Sequence, residues 1–279
     1  MVKKRQTQKK QAQEVRVMAD PFESDYIRAA LVERGDVRSL VKTYGAHGLP
    51  DFPSMNTPAK WDELAWSSTT SEHPHTKRRI ALVRSLIDPT TSIIDIGVGY
   101  GDILGLIAKT HPEVSYTGID FSPVFIEKLD ERYGALSHAS FRVGSTHEYS
   151  DGVFETAISM EVMEHISASE IRGFLAEVRR VLQPNGIFVV SVPTYEDLRA
   201  ITIRCSSCGA LQNPNGHVRR YTPALLRAEL ELAGFAVDRV IPMYMQTGLR
   251  YATYRLATAL LRRPYLPSNV IIRARVAQV

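Results

Sequence analysis

The chain is poor in several residues that would mark particular kinds of protein. It has two cysteines in 279 residues, which excludes a disulfide-stapled scaffold and suits a reducing compartment. Tryptophan occurs twice, and aromatics make up only 8% of the chain. No apolar run approaches the roughly 20 residues that cross a bilayer, so no membrane span is expected. No acid precedes Glu14, and no apolar segment follows the opening Met-Val-Lys-Lys-Arg-Gln-Thr-Gln-Lys-Lys, so the start does not read as a secretory signal. The expectation is a cytoplasmic protein. What is present is 44% hydrophobic residues over a length that buries a full core. One domain with appendages is the natural count.

The net charge of +4 is unevenly spread, with five basic side chains in the first ten residues and Arg16 beyond them. Such a run is either an arm for nucleic acid or an acidic partner, or a solvated tail. No aromatic lies among the charges to stack on bases. Residues 1–18 read as a disordered basic tail. Residues 19–75 read as an N-terminal helical or lid segment, with one helical pattern (Tyr26, Ala29, Ala30, Leu31, Val37, Leu40, Val41) and a loop carrying Pro50, Pro53 and Pro58. Residues 76–279 form the main domain, with inserts at about 195–221 and 246–268.

In the main domain strands and helices alternate, the pattern of a parallel sheet covered on both faces. Strands are expected near 92–97, 114–119, 139–143, 154–160, 186–192, 235–242 and 269–277, with helices near 76–86, 101–110, 123–133 and 168–182. Ser167 and Glu170 have capping-box spacing ahead of an apolar stripe of Ile171, Phe174, Leu175, Val178 and Leu182, which Pro184 and Gly186 close. Thr222 and Pro223 open a further helix and Gly234 ends it. A last helix, Leu249 to Leu261, carries leucines and arginines and either lines a substrate mouth or dimer contact or packs on the domain edge.

The richest stretch runs from Ser92 to Asp102. A β-branched run breaks into Gly97, Gly99 and Gly101, which let the backbone turn tightly and a ligand lie close. The next strand ends in Asp120, one βαβ step on, where a carboxylate accepts from both hydroxyls of a ribose. The glycines alternate rather than follow G-x-G-x-x-G, and Asp95 precedes them. That charge repels a pyrophosphate and welcomes an ammonium.

These residues resemble the class I S-adenosylmethionine-dependent methyltransferases. Asp95-Ile96-Gly97-Val98-Gly99-Tyr100-Gly101 is similar to the family's first motif and Tyr116-Thr117-Gly118-Ile119-Asp120-Phe121-Ser122 to its second; Phe154 to Ile166 and Leu182-Gln183-Pro184-Asn185-Gly186-Ile187 correspond to two later regions. The resemblance covers about residues 80–240. It implies a three-layer α/β sandwich with a seven-stranded, mostly parallel sheet in the order 3-2-1-4-5-7-6, plus an N-terminal helical extension. It implies S-adenosyl-L-methionine as cofactor, held by Asp95, Gly97, Gly99, Gly101 and Asp120, with Met160 and Glu161 beside it. Phe121 either packs on the adenine or makes a core contact. The acid common at the third strand's tip is missing here, which leaves Ser145 or Thr146 for the adenine amino group.

Met160-Glu161-Val162-Met163-Glu164-His165-Ile166 carries the Glu-Val-x-Glu-His pattern of ubiquinone-type O-methyltransferases and of small-RNA 2′-O-methyltransferases. His165, with Glu164, is the expected catalytic base. Two metal readings, for zinc or another divalent cation, compete for His217. One joins it to Cys205 and Cys208; Asn213 stands where similar inserts place a histidine, and a structural zinc wants four ligands. The other joins it to Glu161, Glu164 and His165. The expected activity is O-methylation of a small-molecule hydroxyl (natural product, quinone or sugar) by a monomer or homodimer. The alternatives are 2′-O-methylation of an RNA terminus, served by the basic tail with Arg219 and Arg220, and a non-catalytic cofactor-binding module.

Overall fold

The computed structural model describes residues 74–87, 90–196, 203–204, 211–213, 215–246, 248–261 and 265–278. The expected tail and almost all of the N-terminal segment lie outside them, as do Cys205 and Cys208. In chain order the elements are α1 (Pro74–Leu86), β1 (Ser92–Ile96), α2 (Asp102–Thr110), β2 (Ser115–Asp120), α3 (Pro123–Tyr133), β3 (Ala139–Val143), β4 (Phe154–Met160), α4 (Ile171–Val181), β5 (Leu182–Pro193), β6 (Ile203–Arg204), β7 (Leu211–Gln212), α5 (Pro223–Leu232), β8 (Phe235–Met243), α6 (Gly248–Leu260) and β9 (Asn269–Val276).

Seven strands form one sheet in the order β3-β2-β1-β4-β5-β9-β8, and β6 pairs with β7 as a short ribbon. The first five strands are parallel, while β9 runs antiparallel to both of its neighbours. With sheet strands counted in sequence, this is the expected 3-2-1-4-5-7-6. Both faces are covered, so central strands are apolar on both sides. Ile93, Ile187 and Val189 face a core shared with α1, α2 and α3; Ile94, Ile96, Phe188 and Val190 face the core under α4 and α5. Among the described residues no helix is long and apolar enough to cross a membrane.

Local chemistry sets the helix starts. Ser122 and Thr222 each accept from the backbone N–H three residues on, and a proline follows each. The box expected at Ser167 is different. Ser167 Oγ donates to the Glu170 carboxylate, so the two side chains bond each other rather than the backbone. A turn at 168–170 follows and α4 begins only at Ile171. The helix also ends earlier than expected, at Val181, because Leu182 already pairs with Phe154 of β4. The chain is in the sheet before Pro184 is reached.

The helix α6 buries no residue. It meets the domain through tyrosines: Tyr251 lies 5.1 Å from Tyr244 and 5.5 Å from Tyr265, centroid to centroid. Leu249, Leu256 and Leu260 point to solvent, so α6 is attached at the edge rather than packed on it.

A buried ion pair fixes the loop that precedes α5. Arg219 is 2% exposed and Glu229 of α5 3% exposed. The guanidinium donates to the carboxylate, the Tyr221 hydroxyl donates to the same group at 3.2 Å, and Arg219 lies over the Tyr221 ring. Removing one partner of a buried pair strands the other charge, at about 3–5 kcal/mol. Glu229→Ala is therefore expected to lower unfolding stability by about that amount, read by urea denaturation; a change under ~1 kcal/mol would contradict this role.

Candidate active site

The site gathers at the carboxyl ends of β1, β2, β4 and β5, where ligands of open α/β sheets bind. After β1 the chain folds back over β2: the N–H groups of Gly97 and Val98 donate to Ile119 O at 2.9 and 3.1 Å. Gly97 has φ +74°, and a Cβ there would lie 2.5 Å from Val162 Cγ2. The loop after β4 thus rests directly on the glycine loop. Gly99 has φ +50°, and a Cβ there would meet nothing within 4 Å. Its bare side faces open space. Its N–H donates to Asp120 Oδ2 at 3.0 Å, and Asp120 Oδ1 accepts from Ser122 N–H at 3.0 Å. The Asp120 carboxylate is thereby fixed beside the open side of Gly99. Gly101, also at positive φ, caps α2, whose N-terminus points its dipole toward the same loop.

Asp95 faces the α1–α3 side of β1, and the Tyr116 hydroxyl donates to it. Burial pushes its carboxyl from an ordinary 3.8 to about 7; the Tyr116 hydrogen bond pulls the other way, and the charges of Asp120 and Asp102 add to the rise. Phe121 is 61% exposed, which excludes the core contact and leaves its ring face for a ligand. Gly144 N–H donates to Asp120 O at 3.1 Å, so Ser145 and Thr146 follow close by. Thr146 is buried, and its carbonyl accepts from Arg180 Nη2 at 3.0 Å. Met160 is half-buried and packs against the core on the α1–α3 side.

Glu161 has φ +57°, a conformation uncommon for a side chain of its kind. Four contacts from three residues hold it there. Its N–H donates to Ser191 O at 2.9 Å; Ser191 Oγ donates to Oε1 at 2.8 Å; Asn269 Nδ2 donates to Oε2 at 2.8 Å; and Arg79 of α1 pairs with Oε2 at 2.8 Å. Glu161 therefore ties α1, β4, β5 and β9 together. It is a structural junction and leaves the four-residue metal set expected for it.

The other three members of that set do converge. Glu164 and His165 lie on a single 3₁₀ turn, Met163–His165. His217 arrives on the loop before α5, which is held because Val218 N–H and Arg219 N–H both donate to Glu164 O, at 2.9 and 3.1 Å. One ligating atom from each of Glu164, His165 and His217 lies within 4.8 Å of the others. The two imidazole rings meet edge to face, 4.9 Å apart. Nδ1–H of His165 donates to Gly216 O at 3.1 Å, and Nδ1–H of His217 donates to the Glu196 carboxylate at 2.8 Å. Glu164 is fully buried, and neither of its carboxylate oxygens has a hydrogen-bond partner on another side chain. Burial drives its carboxyl well above the ordinary 4.5, with Glu161 and Glu196 adding to the rise and its own backbone N–H and Arg79 opposing it.

Sequence reasoning missed Glu196, Gly216 O, Arg79 and Asn269. None sits in a motif; each is brought in by the fold. Arg219, named with Arg220 as support for the RNA-terminus alternative, is buried in its pair with Glu229 and unavailable to a nucleic acid.

Residues 93–186 match a family described as "Methyltransferase domain". The chain is 22% identical over 197 residues to a trans-aconitate 2-methyltransferase of Azoarcus sp., covering 70% of this chain and 72% of that one. It is 31% identical over 120 residues to the ubiquinone/menaquinone biosynthesis C-methyltransferase UbiE of Geotalea daltonii, covering 40% and 50%. An uncharacterized 37.1 kDa transposon protein of Streptomyces fradiae is 32% identical over 167 residues, covering 56% and 46%. The chain thus spans about half the length of these last two relatives. Among solved structures, the N-methyltransferase NodS of Bradyrhizobium japonicum, bound to S-adenosyl-L-homocysteine, superposes with TM-score 0.56 at 16% identity over 79% of this chain and 99% of that one. At that identity the likeness is one of fold. Taken with the sheet order and the glycine loop, these matches show that the chain carries a class I S-adenosylmethionine-dependent methyltransferase domain.

The Asp95 carboxyl gives a test. Its folded pKa is raised, so between about pH 4 and 7 the folded chain holds a proton that the unfolded chain has released. Stability from this group is present at low pH and lost as pH rises through about 7. Melting temperatures of ligand-free wild type and Asp95→Asn are expected to diverge over that range in favour of the variant. Parallel curves would contradict the burial of an ionising group there.

Proposed function

We propose that the chain transfers the methyl group of S-adenosyl-L-methionine to a hydroxyl of a small molecule. The observation that carries the reading is the pairing of Gly99's open side with the fixed Asp120 carboxylate. A nucleoside laid against Gly99 brings its ribose hydroxyls to Asp120. The adenine then lies toward Phe121 and Ser145, and the methionine end toward Asp95 and the start of α2. An ammonium beside Asp95 gives its buried carboxylate the countercharge that burial denies it. The methyl group is directed toward Val162 and the Glu164–His165 turn beyond it.

Transfer is an in-line displacement. The acceptor oxygen forms a bond to the methyl carbon, the carbon–sulfur bond breaks, and its electron pair stays on sulfur, which becomes a neutral thioether. The main task is alignment at near-attack distance. The hydroxyl proton passes to His165 Nε2, whose tautomer is set by the donation of Nδ1–H to Gly216 O. The Glu164 carboxyl lies 3.9 Å from Nε2. Small-molecule acceptors in the names of the trans-aconitate and ubiquinone/menaquinone relatives support the substrate class. The burial of Arg219 counts against an RNA terminus.

Calorimetry with S-adenosylhomocysteine tests the cofactor half. Asp120→Ala is expected to lose at least about 100-fold in affinity, since two hydrogen bonds to a charged group contribute about 1.5–3 kcal/mol each. Gly99→Asn, a side chain that tolerates the left-handed backbone at φ +50° better than most, enters the ligand's space and is expected to lose affinity. Affinity unchanged in both variants would contradict the site. Radiolabelled methyl transfer across hydroxyl acceptors tests the other half. Activity with a flat salt response is expected, whereas a steep loss with salt would point to nucleic acid.

A further inference from the structure

We propose that α6 docks flat on an anionic lipid membrane, with its outer face set into the boundary between headgroups and acyl chains. The helix has 13 residues, Gly248–Leu260, and buries none of them. A helix of that length is marginal alone in water. Tyr251 and Thr258, seven residues apart and so on one face, are its half-buried residues and turn toward the domain. Leu249, Leu256 and Leu260, at i, i+7 and i+11, share the opposite face. All three are strongly exposed, to 81% at Leu249, and Leu261 just beyond the helix is exposed as well. The stripe thus points directly away from its own domain.

Charge chooses the partner. Arg250 and Arg255 are five residues apart, which at about 3.6 residues per turn puts one on each flank of the leucine stripe. Both are exposed, and neither guanidinium has an ion-pair partner among the described residues. From Arg239 to Val279 the chain has seven arginines and no acid. Leucines facing outward with arginines on both flanks suit a helix lying in a membrane interface, the leucines in the acyl boundary and the guanidinium groups at the phosphates. A second copy of the chain would set arginine against arginine with no acid to answer it. A nucleic acid would answer the arginines and leave the leucines in water.

The place of α6 in the fold gives the docking a consequence. The helix lies between the end of β8 at Met243 and the start of β9 at Asn269. Asn269 pairs with Pro193 at the end of β5, and its amide donates to Glu161. The chain that returns from α6 is tied to the same edge: the Thr194 hydroxyl donates to Pro267 O at 2.8 Å and the Thr194 N–H to Ser268 O at 2.9 Å. Tyr244 and Tyr265 stack 5.0 Å apart, and Tyr251 of the helix meets both. Docking therefore brings the carboxyl edge of the sheet, where the candidate site lies, to the bilayer surface. The docking itself does not rest on the methyl transfer proposed above.

The test is flotation of the full chain with vesicles of phosphatidylglycerol and phosphatidylcholine in equal parts, against phosphatidylcholine alone. Circular dichroism and S-adenosylhomocysteine calorimetry accompany every variant. Wild type is expected to float with the anionic vesicles. Leu256→Ser combined with Leu260→Ser is expected to lose at least about 30-fold in vesicle affinity, because two side chains no longer enter the bilayer. Arg250→Gln combined with Arg255→Gln is expected to lose about 10–30-fold, at roughly fivefold per charge near such a surface. Both variants keep their helical content and the cofactor-product affinity of wild type, since all four side chains face solvent. Wild type that floats with neither vesicle overturns the proposal. So does anionic binding that the leucine variant keeps in full, which assigns the affinity to the basic residues of the N-terminus. Leucines that instead hold two copies together in sedimentation equilibrium, with no vesicle bound, overturn it in favour of a dimer face. Wild type that binds vesicles but not S-adenosylhomocysteine leaves the docking standing and removes the cofactor reading instead.

Discussion

Negative charge held out of water at the carboxyl edge of the sheet is the constraint on which the rest depends. Asp95, Asp120, Glu161 and Glu164 all lie where β1, β2 and β4 end. Glu161 is answered by a protein cation, Arg79. Asp95 has a neutral hydroxyl, Asp120 has backbone N–H groups, and Glu164 has no hydrogen-bond partner on another side chain. Burial raises the carboxyls of both Asp95 and Glu164, with the charges of Asp120 and Asp102 adding to the first and those of Glu161 and Glu196 to the second. Such an edge is costly when empty and favourable when cationic ligands fill it. Under the proposed function, the ammonium and sulfonium of the cofactor supply such charge beside Asp95 and the glycine loop.

The fold brings the two sides together by adjacency. Pairing of β1 with β4 places the loop after β4 against the glycine loop, and the contact between Val162 and Gly97 is close enough that no side chain larger than hydrogen fits at residue 97. Glu161 then turns the chain through a left-handed conformation, and Ser191, Asn269 and Arg79 hold that turn. His217 comes from the far side of the β6–β7 ribbon. The buried pair of Arg219 and Glu229 keeps its loop seated, so a fold-stabilising interaction on α5 also bears on where His217 lies.

Most of the sheet was legible in the sequence because its signals are local. Alternating apolar runs marked every strand of the main sheet, and the glycine spacing with Asp120 marked the cofactor edge. Element ends were less legible where pairing competes with helix signals. Leu182 joins β4 before Pro184 can end α4, and Ser167 bonds Glu170 instead of capping the backbone. The candidate site was half legible. Glu164, His165 and His217 were grouped by residue type, but the sequence could not show that Glu161, three residues from Glu164, turns away to Arg79 and Asn269. Nor could it show that Glu196 orients His217. Those partners lie on other elements and carry no spacing to read. Arg219 misled for the same reason, since an arginine in a basic stretch looks exposed until its buried acid is known.

A crystal structure of the chain with S-adenosylhomocysteine tests the central claim most directly. The expected map shows both ribose hydroxyls within hydrogen-bond distance of Asp120, the nucleoside against the bare side of Gly99, and the ammonium on the Asp95 side of the glycine loop. A nucleoside bound elsewhere, or an Asp120 carboxylate that makes no ribose contact, would contradict it.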